Sequence, residues 1–371
     1  MGSDRQLAHL TIRGFKSIRE LSDFELGSLN VFVGANGAGK SNLISFFRLL
    51  RALMEDNLSD YILKNGGVGD LLFNGRKTTA EMFFETHFGP RGYRFKITPG
   101  ADEESFAVAD EARYYAHGTS GWWKFGSSGN EKSMLVREVK SGTRDAEYSR
   151  PVYDAVCSWK IYHFHDTGDT AAMRHAEIVQ DGEILRPDAA NLAPFLLRMR
   201  EEEAATYQEV LDVCRIVVPY LDDFLLKPKK YGAAEKVSLA WKTKGTDYPM
   251  QPYHFSDGSI RFICLAAALL QPTPPAAIII DEPELGLHPE AIRLLGELLK
   301  DAAKRTQLIV ATQSPLLLDQ FAIEDIVVAN RKDGQSVFER FDRKDFTAWL
   351  EDYSVGELWA KNVIRGGTGH E

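Results

Sequence analysis

The sequence predicts an α/β fold: a mixed sheet packed against helices, interrupted by an inserted α+β lobe. Three observations carry this reading. Leu29-Asn30-Val31-Phe32-Val33 is a short apolar strand, Gly34 to Ser41 is a glycine-rich turn, and Leu43, Ile44, Phe47, Leu50 and Leu53 recur at helical spacing behind it. Residues 276–280 form a continuous apolar run, as expected of a strand buried on both faces of a parallel sheet, and the run ends on Asp281-Glu282. Between these two stretches, residues 58–250 abandon strand–helix alternation for aromatic, hairpin-like pieces.

Residues 1–57 are expected to form a first lobe, with strand and helix alternating from Leu7 onward. In 58–250, residues 81–88 and 93–97 read as strands about the Gly89-Pro90-Arg91-Gly92 turn, with further strand pieces at 112–116 and 121–125. Lys140-Ser141-Gly142-Thr143 reads as a loop. Residues 191–217 carry a helical stripe of Leu192, Phe195, Met199, Tyr207, Val210, Leu211 and Cys214, and 237–243 return to strand alternation. Residues 251–371 form the second lobe. A helix bears Ile260, Phe262, Ile263, Ala266, Leu269 and Leu270, and another opens at Pro289, where proline suits the first turn. Buried strands follow at Leu308-Ile309-Val310 and Ile326-Val327-Val328. No repeat, low-complexity tract or long heptad array interrupts the chain.

A chain of 371 residues with 44% hydrophobic and 26% charged content can bury a substantial core, in two substructures rather than one. The net charge of −9 excludes a surface uniformly suited to nucleic acid and leaves room for a local basic patch. Lys227-Pro228-Lys229-Lys230, the densest basic cluster, reads as a solvated turn. Cys157, Cys214 and Cys264 show neither CxxC nor Cys/His spacing, so neither a disulfide framework nor a zinc site is expected. A reducing, cytoplasmic setting follows. No apolar run reaches membrane-spanning length, no signal peptide opens the chain, and no membrane partner is expected.

Gly34-Ala35-Asn36-Gly37-Ala38-Gly39-Lys40-Ser41 fits the phosphate-binding loop. Glycines let backbone N–H groups point inward, and the following helix N-terminus adds partial positive charge. Lys40 is placed to reach the β- and γ-phosphates and Ser41 to offer a hydroxyl to Mg²⁺. Asp281, ending an apolar strand, suits the metal's water shell, and Glu282 suits a base that takes a proton from the attacking water. Glu284 has two readings, a carboxylate that helps the site or a solvated loop carboxylate, and the second is the expectation. Ser256-Asp257-Gly258-Ser259 opens a helix and is a good N-cap, and its free N–H groups and hydroxyl are also what a phosphate binds.

These motifs together resemble the ABC/SMC/RecF class of ATPases, and so imply a P-loop NTPase of ABC-ATPase-head type. In that likeness Gly34–Ser41 is the Walker A loop, Ser256–Gly258 the signature, and Ile278-Ile279-Ile280-Asp281-Glu282 the Walker B strand. Pro283 to Pro289 resembles the D-loop stretch and Thr312-Gln313-Ser314-Pro315 occupies the switch. The opening Leu10-Thr11-Ile12-Arg13-Gly14-Phe15-Lys16-Ser17-Ile18 is similar to the first strand of RecF and SMC heads. Residues 162–167 and 353–359 resemble stand-alone bacterial ATPases of the OLD-like and Septu PtuA-like type, so the likeness covers nearly the whole chain.

The resemblance implies that Gly34, Asn36, Gly37, Ala38, Gly39, Lys40, Ser41, Asn42 and Lys16 contact ATP. It implies Ser41 and Asp281 at Mg²⁺, Glu282 and Gln313 as catalytic residues, and Ser256 and Gly258 capping the γ-phosphate of a second copy's ATP. A head-to-tail homodimer held by two ATP molecules would result. Two residues depart from the wider class. Gln313 stands where transporters commonly carry histidine and cannot take up a proton, which implies slow turnover. Asp257 replaces a signature glycine and is expected to face away from the phosphates, because burying it beside them would be costly.

His163, His165 and Asp166 are a tempting metal cluster, but a strand end packed near the nucleotide explains them better. Tyr114, Tyr115, Trp122 and Trp123 suit base stacking and core packing equally. An ATPase switch acting on DNA, in repair or anti-phage defence, is the leading functional expectation. The chain ends at Glu371, without the nuclease domain of OLD proteins, so a separate nuclease or effector is the expected partner. A RecF-like recombination mediator is the alternative, with a transporter ATPase subunit third.

Overall fold

The computed structural model describes residues 5–102, 105–116, 121–126 and 131–364. Strands β1 (His9–Phe15), β2 (Ile18–Glu25) and β3 (Leu29–Val33) lead into helix α1 (Lys40–Met54). Helices α2 (Leu58–Lys64) and α3 (Val68–Leu71) precede β4 (Met82–Phe88), β5 (Arg91–Pro99), β6 (Phe106–Tyr115) and β7 (Gly121–Lys124). Helices α4 (Met134–Ser141) and α5 (Ala146–Ser158) bring the chain to β8 (Lys160–Tyr162). After β9 (Glu177–Ile178) come α6 (Leu192–Glu202) and α7 (Ala204–Val217), then five short strands: β10 (Leu221–Phe224), β11 (Lys229–Tyr231), β12 (Ala234–Val237), β13 (Trp241–Thr243) and β14 (Pro249–Met250). The chain closes with α8 (Asp257–Leu270), β15 (Ala277–Asp281), α9 (Pro289–Ala302), β16 (Gln307–Thr312), β17 (Ile326–Lys332) and β18 (Gln335–Arg340), followed by short helical turns.

One six-stranded sheet runs β18-β17-β3-β16-β15-β8. Five of its strands are parallel neighbours and β18 is an antiparallel edge, so the sheet is mixed, as expected. Every residue of β3 and β16 is buried, which explains their largely apolar lettering, with Asn30, Gln307 and Thr312 as buried polar exceptions. Alternate side chains serve two cores. Val31, Ile278, Ile280, Leu308 and Val310 pack with the helices α6 to α9. Phe32, Ile279, Ile309 and Val327 pack with α1, α5 and the second sheet.

That second sheet, β2-β1-β4-β5-β6-β7, is antiparallel throughout. Its strands alternate buried and half-buried residues, as in β4, and α1 covers the inner face. Phe46 of α1 stacks on Phe84, Phe84 on Phe95 and Phe95 on Tyr93, with centroids 5.6, 5.0 and 5.2 Å apart. Each ring removed from water contributes roughly 1.5–3 kcal/mol. Polar pins join the two sheets: Gln307 exchanges hydrogen bonds with the backbone of Leu7, and Ser17 meets Ser336 at 2.6 Å.

Several local expectations change. The division at residue 57 runs through a hydrogen-bonded sheet, because β1 before it pairs with β4 beyond it, His9 opposite His87. Likewise β8, from the inserted stretch, is the edge strand of the mixed sheet. Lys140 and Ser141 are the last turn of α4, not a loop, and Gly142 ends that helix at φ 65°. The 191–217 stripe is two helices broken at Glu203, and 237–243 is divided between β12 and β13.

Candidate active site

The site forms where β3, β15 and β16 end together: Val33 lies beside Thr312, and Ala311 beside Asp281. Parallel strands deliver their C-terminal ends to one edge, which is where open α/β sheets bind ligands. Gly34–Ser41 bridges β3 and α1. Gly37 and Gly39 sit at φ 83° and 112°, a region side chains avoid. A Cβ at Gly34 would collide with the Ala329 carbonyl of β17, and one at Gly39 with the Ser336 hydroxyl.

Lys40, buried, donates from Nζ to the carbonyls of Gly34 at 2.5 Å and Ala35 at 3.3 Å. Burial lowers its pKa, opposed by the charges of Glu282, Asp281 and Glu284. Ser41 donates from Oγ to Asp281 Oδ2 at 3.4 Å. Burial and then the Glu282 charge raise the Asp281 pKa, against His165, Arg48 and Lys40. A carboxylate so placed favours a cation. One hydroxyl and one carboxylate suit Mg²⁺, an ion held by one or two carboxylates plus substrate phosphates.

Glu282 adopts φ 45° and its N–H donates to Ala311 O at 2.8 Å, so the backbone turns sharply as it leaves β15. Gln313 donates from Nε2 to Glu282 Oε1 at 2.5 Å and to Asn36 Oδ1 at 2.7 Å. One amide thus joins the switch, the Walker B end and the phosphate loop. Asn42 donates to Ser17 Oγ at 2.6 Å. Lys16 turns to Ser45 and Asn65 at 3.2 and 3.4 Å, along α1 from the loop rather than onto it.

Ser256 caps α8, accepting from Ser259 N at 3.1 Å. Gly258 packs so closely on the Gly286 carbonyl that a Cβ would collide with it, tying the signature to the D-loop. The Asp257 carboxylate, 64% exposed, accepts from Arg174 Nη2 at 2.9 Å, whereas the Arg174 side chain is 4% exposed. That arginine also donates to the carbonyls of Thr167, Pro252 and Phe255. Among the described residues, the side-chain bonds of Ser256 and Asp257 reach Ser259 and Arg174, not Gly34–Ser41.

Glu284 corrects the expectation of a solvated carboxylate. Its Oε1 accepts from Thr312 Oγ1 at 2.5 Å and Gln313 N at 3.1 Å, its Oε2 is buried without a partner among the described residues, and burial raises its pKa. Arg261, also missed, donates to Phe164 O at 2.8 Å, His165 O at 3.0 Å and Leu285 O. A lone arginine in the apolar Ile260–Leu270 stretch was the available signal. His163, His165 and Asp166 are all exposed, and His165 donates from Nε2 to the Asp281 carbonyl at 2.9 Å. Trp122 lies on the second sheet, under Arg94 at 4.4 Å.

The profile of the family described as "AAA domain, putative AbiEii toxin, Type IV TA system" matches residues 29–319. The chain belongs to this AAA family. Over 112 residues it is 30% identical to the energy-coupling factor transporter ATP-binding protein EcfA2 of Mycoplasma genitalium, a match covering 29% of this chain and 35% of that one. The chain thus matches about a third of that protein's length. An SMC head bound to the C-terminal winged-helix domain of ScpA superposes with a TM-score of 0.56 at 16% identity, over 92% of this chain and 99% of that one. A Pyrococcus furiosus SMC head with an extended coiled coil, bound to the C-terminal domain of ScpA, gives 0.51 at 15% identity over 94% and 99%. The fold is therefore that of an SMC/ABC ATPase head, a P-loop NTPase. No helix among the described residues is long and apolar enough to cross a membrane.

Proposed function

We propose that this AAA-family chain binds ATP with Mg²⁺, hydrolyses it, and pairs head-to-tail with a second copy in the ATP state. The observation that carries the proposal is the bonding of Gln313 to both Glu282 and Asn36, beside the Ser41–Asp281 contact. Lys40 and the loop N–H groups bind the phosphates, Glu282 takes the proton of the attacking water, and Gln313 aligns that carboxylate. Ser41 and Asp281 would hold Mg²⁺, which supplies charge neutralisation at the phosphates. The exposed Ser256 end of α8, bonded away from its own loop, supports its use on a partner's ATP, with two-fold symmetry doubling the contact.

Sizing chromatography with ATP tests this. Glu282→Gln should bind ATP, lose hydrolysis by about 100-fold or more and elute as a dimer. Ser256→Arg should bind ATP and remain a monomer. Wild-type turnover in Glu282→Gln would remove the base assignment.

For the biological role we propose action on DNA in repair or anti-phage defence, from the cytoplasm, with a separate nuclease or effector. The toxin named in the family description supports the defence side. The alternative, a RecF-like mediator without a nuclease, is separated by what co-purifies with Glu282→Gln in ATP. A transporter subunit rests on the partial EcfA2 match alone.

A further inference from the structure

Several lysines of this chain lie against carboxylates: Lys96 on Glu81 and Asp110, Lys140 on Asp56, Lys242 on Asp222 and Asp247. The β11–β12 hairpin is different. Lys227, Lys229, Lys230 and Lys236 stand together there, and among the described residues none of their ammonium groups forms an ion pair or hydrogen bond. Lys229 lies directly opposite Lys236, and like charges at a cross-strand position destabilise a hairpin. Lys230 alone has an acidic neighbour across the ladder, Glu235.

The pleat sorts these groups. Val237 is buried, and Lys236, half-buried, shares the opposite face of the hairpin with Lys229 and Tyr231 of β11. Tyr231 is 54% exposed and faces only the short Ala234 across the ladder, which leaves its ring open. This face therefore offers two unneutralised charges beside a bare aromatic ring, with Lys227 just before them. Beyond the hairpin the chain passes to β13, in a separate small sheet, next to the signature. Trp241 stacks on Phe255 with centroids 4.5 Å apart, and Ser256 is the next residue.

We infer that this face of the hairpin docks a single strand of nucleic acid, with phosphates on Lys227, Lys229 and Lys236 and a base stacked on Tyr231. The inference rests on the DNA-acting role proposed above. Phosphates relieve the Lys229–Lys236 repulsion, which the fold leaves uncompensated. In a chain of net charge −9, they are drawn to a local cluster of positive charge. An unstacked base gains from a ring surface, which an acidic peptide does not use.

Fluorescence anisotropy of labelled oligothymidylate with the full chain, without nucleotide and across a salt series, tests this. Wild type should bind. The K229E/K236E variant should bind about tenfold or more weakly, and its slope of log affinity on log salt should fall by about 1.4, at ~0.7 per phosphate contact. Tyr231→Ala should weaken binding about tenfold with the salt slope unchanged. Lys229→Ala, free of nucleic acid, should melt no lower than wild type, and a lower melting temperature would overturn the repulsion argument. If wild type binds and K229E/K236E binds equally well, the hairpin assignment falls and the DNA-acting role stands. If wild type binds neither oligothymidylate nor duplex DNA, both fall. Binding of polyglutamate as tight as that of oligothymidylate, lost in K229E/K236E, would overturn the inference in favour of an acidic protein.

Discussion

The mixed sheet and the antiparallel sheet share helix α1 and much of one core, yet the candidate site belongs to the mixed sheet alone. Parallel strands end on one edge, so Gly34, Asp281 and Gln313 leave β3, β15 and β16 side by side despite their distance in sequence. Antiparallel strands send alternate ends to opposite edges, and among the described residues no edge of the second sheet collects such groups. Its contribution is a firm aromatic floor for α1, through Phe84 under Phe46. One sheet gathers chemistry, and the other holds the helix that starts with Lys40.

Variants can break or sharpen this division. Lys40→Ala should abolish ATP binding in a calorimetric titration while the protein stays folded, the largest effect expected. Phe84→Ala should cost about 3–5 kcal/mol of stability in denaturant unfolding. Its ATP affinity should stay at the wild-type value wherever the variant is folded, and a weakened affinity there would mean that the second sheet shapes the site directly. Glu284→Gln keeps the shape of the buried carboxyl but weakens its acceptance from Thr312 and Gln313. Steady-state kinetics should show turnover reduced about tenfold with KM unchanged, since each such bond to a charged group is worth ~1.5–3 kcal/mol. Trp122→Ala should be the mildest, costing ~1 kcal/mol through loss of its contact with Arg94 and leaving turnover unaltered.

The sequence was most readable where burial on both faces left a run of apolar residues, as at 277–280 in β15 and 308–311 in β16. The phosphate loop was readable because its glycines answer local backbone demands. Partnership was not. Nothing in the lettering of β1 tells that it pairs with β4 instead of β3, so the first lobe read as one unit. Glu284 misled because its burial depends on Thr312 and Gln313, which are remote in sequence. Helix α5 was missed since Pro151 lies inside it and its apolar positions are sparse. Lys16 followed the family likeness, whereas its left-handed backbone at φ 50° aims the ammonium at Ser45 and Asn65.

Strand β3 carries the phosphate loop but borders only β16 and β17 in its own sheet. During synthesis the antiparallel sheet has all its strands once Lys124 has emerged, whereas β3 must wait for the segments ending at Thr312 and Lys332. The Gly34–Ser41 loop is therefore among the last parts of the molecule to gain its full frame. A chain stalled or cut before β16 keeps the Walker A letters and the sheet under α1, but lacks the strands that flank β3 and hold the other end of the loop.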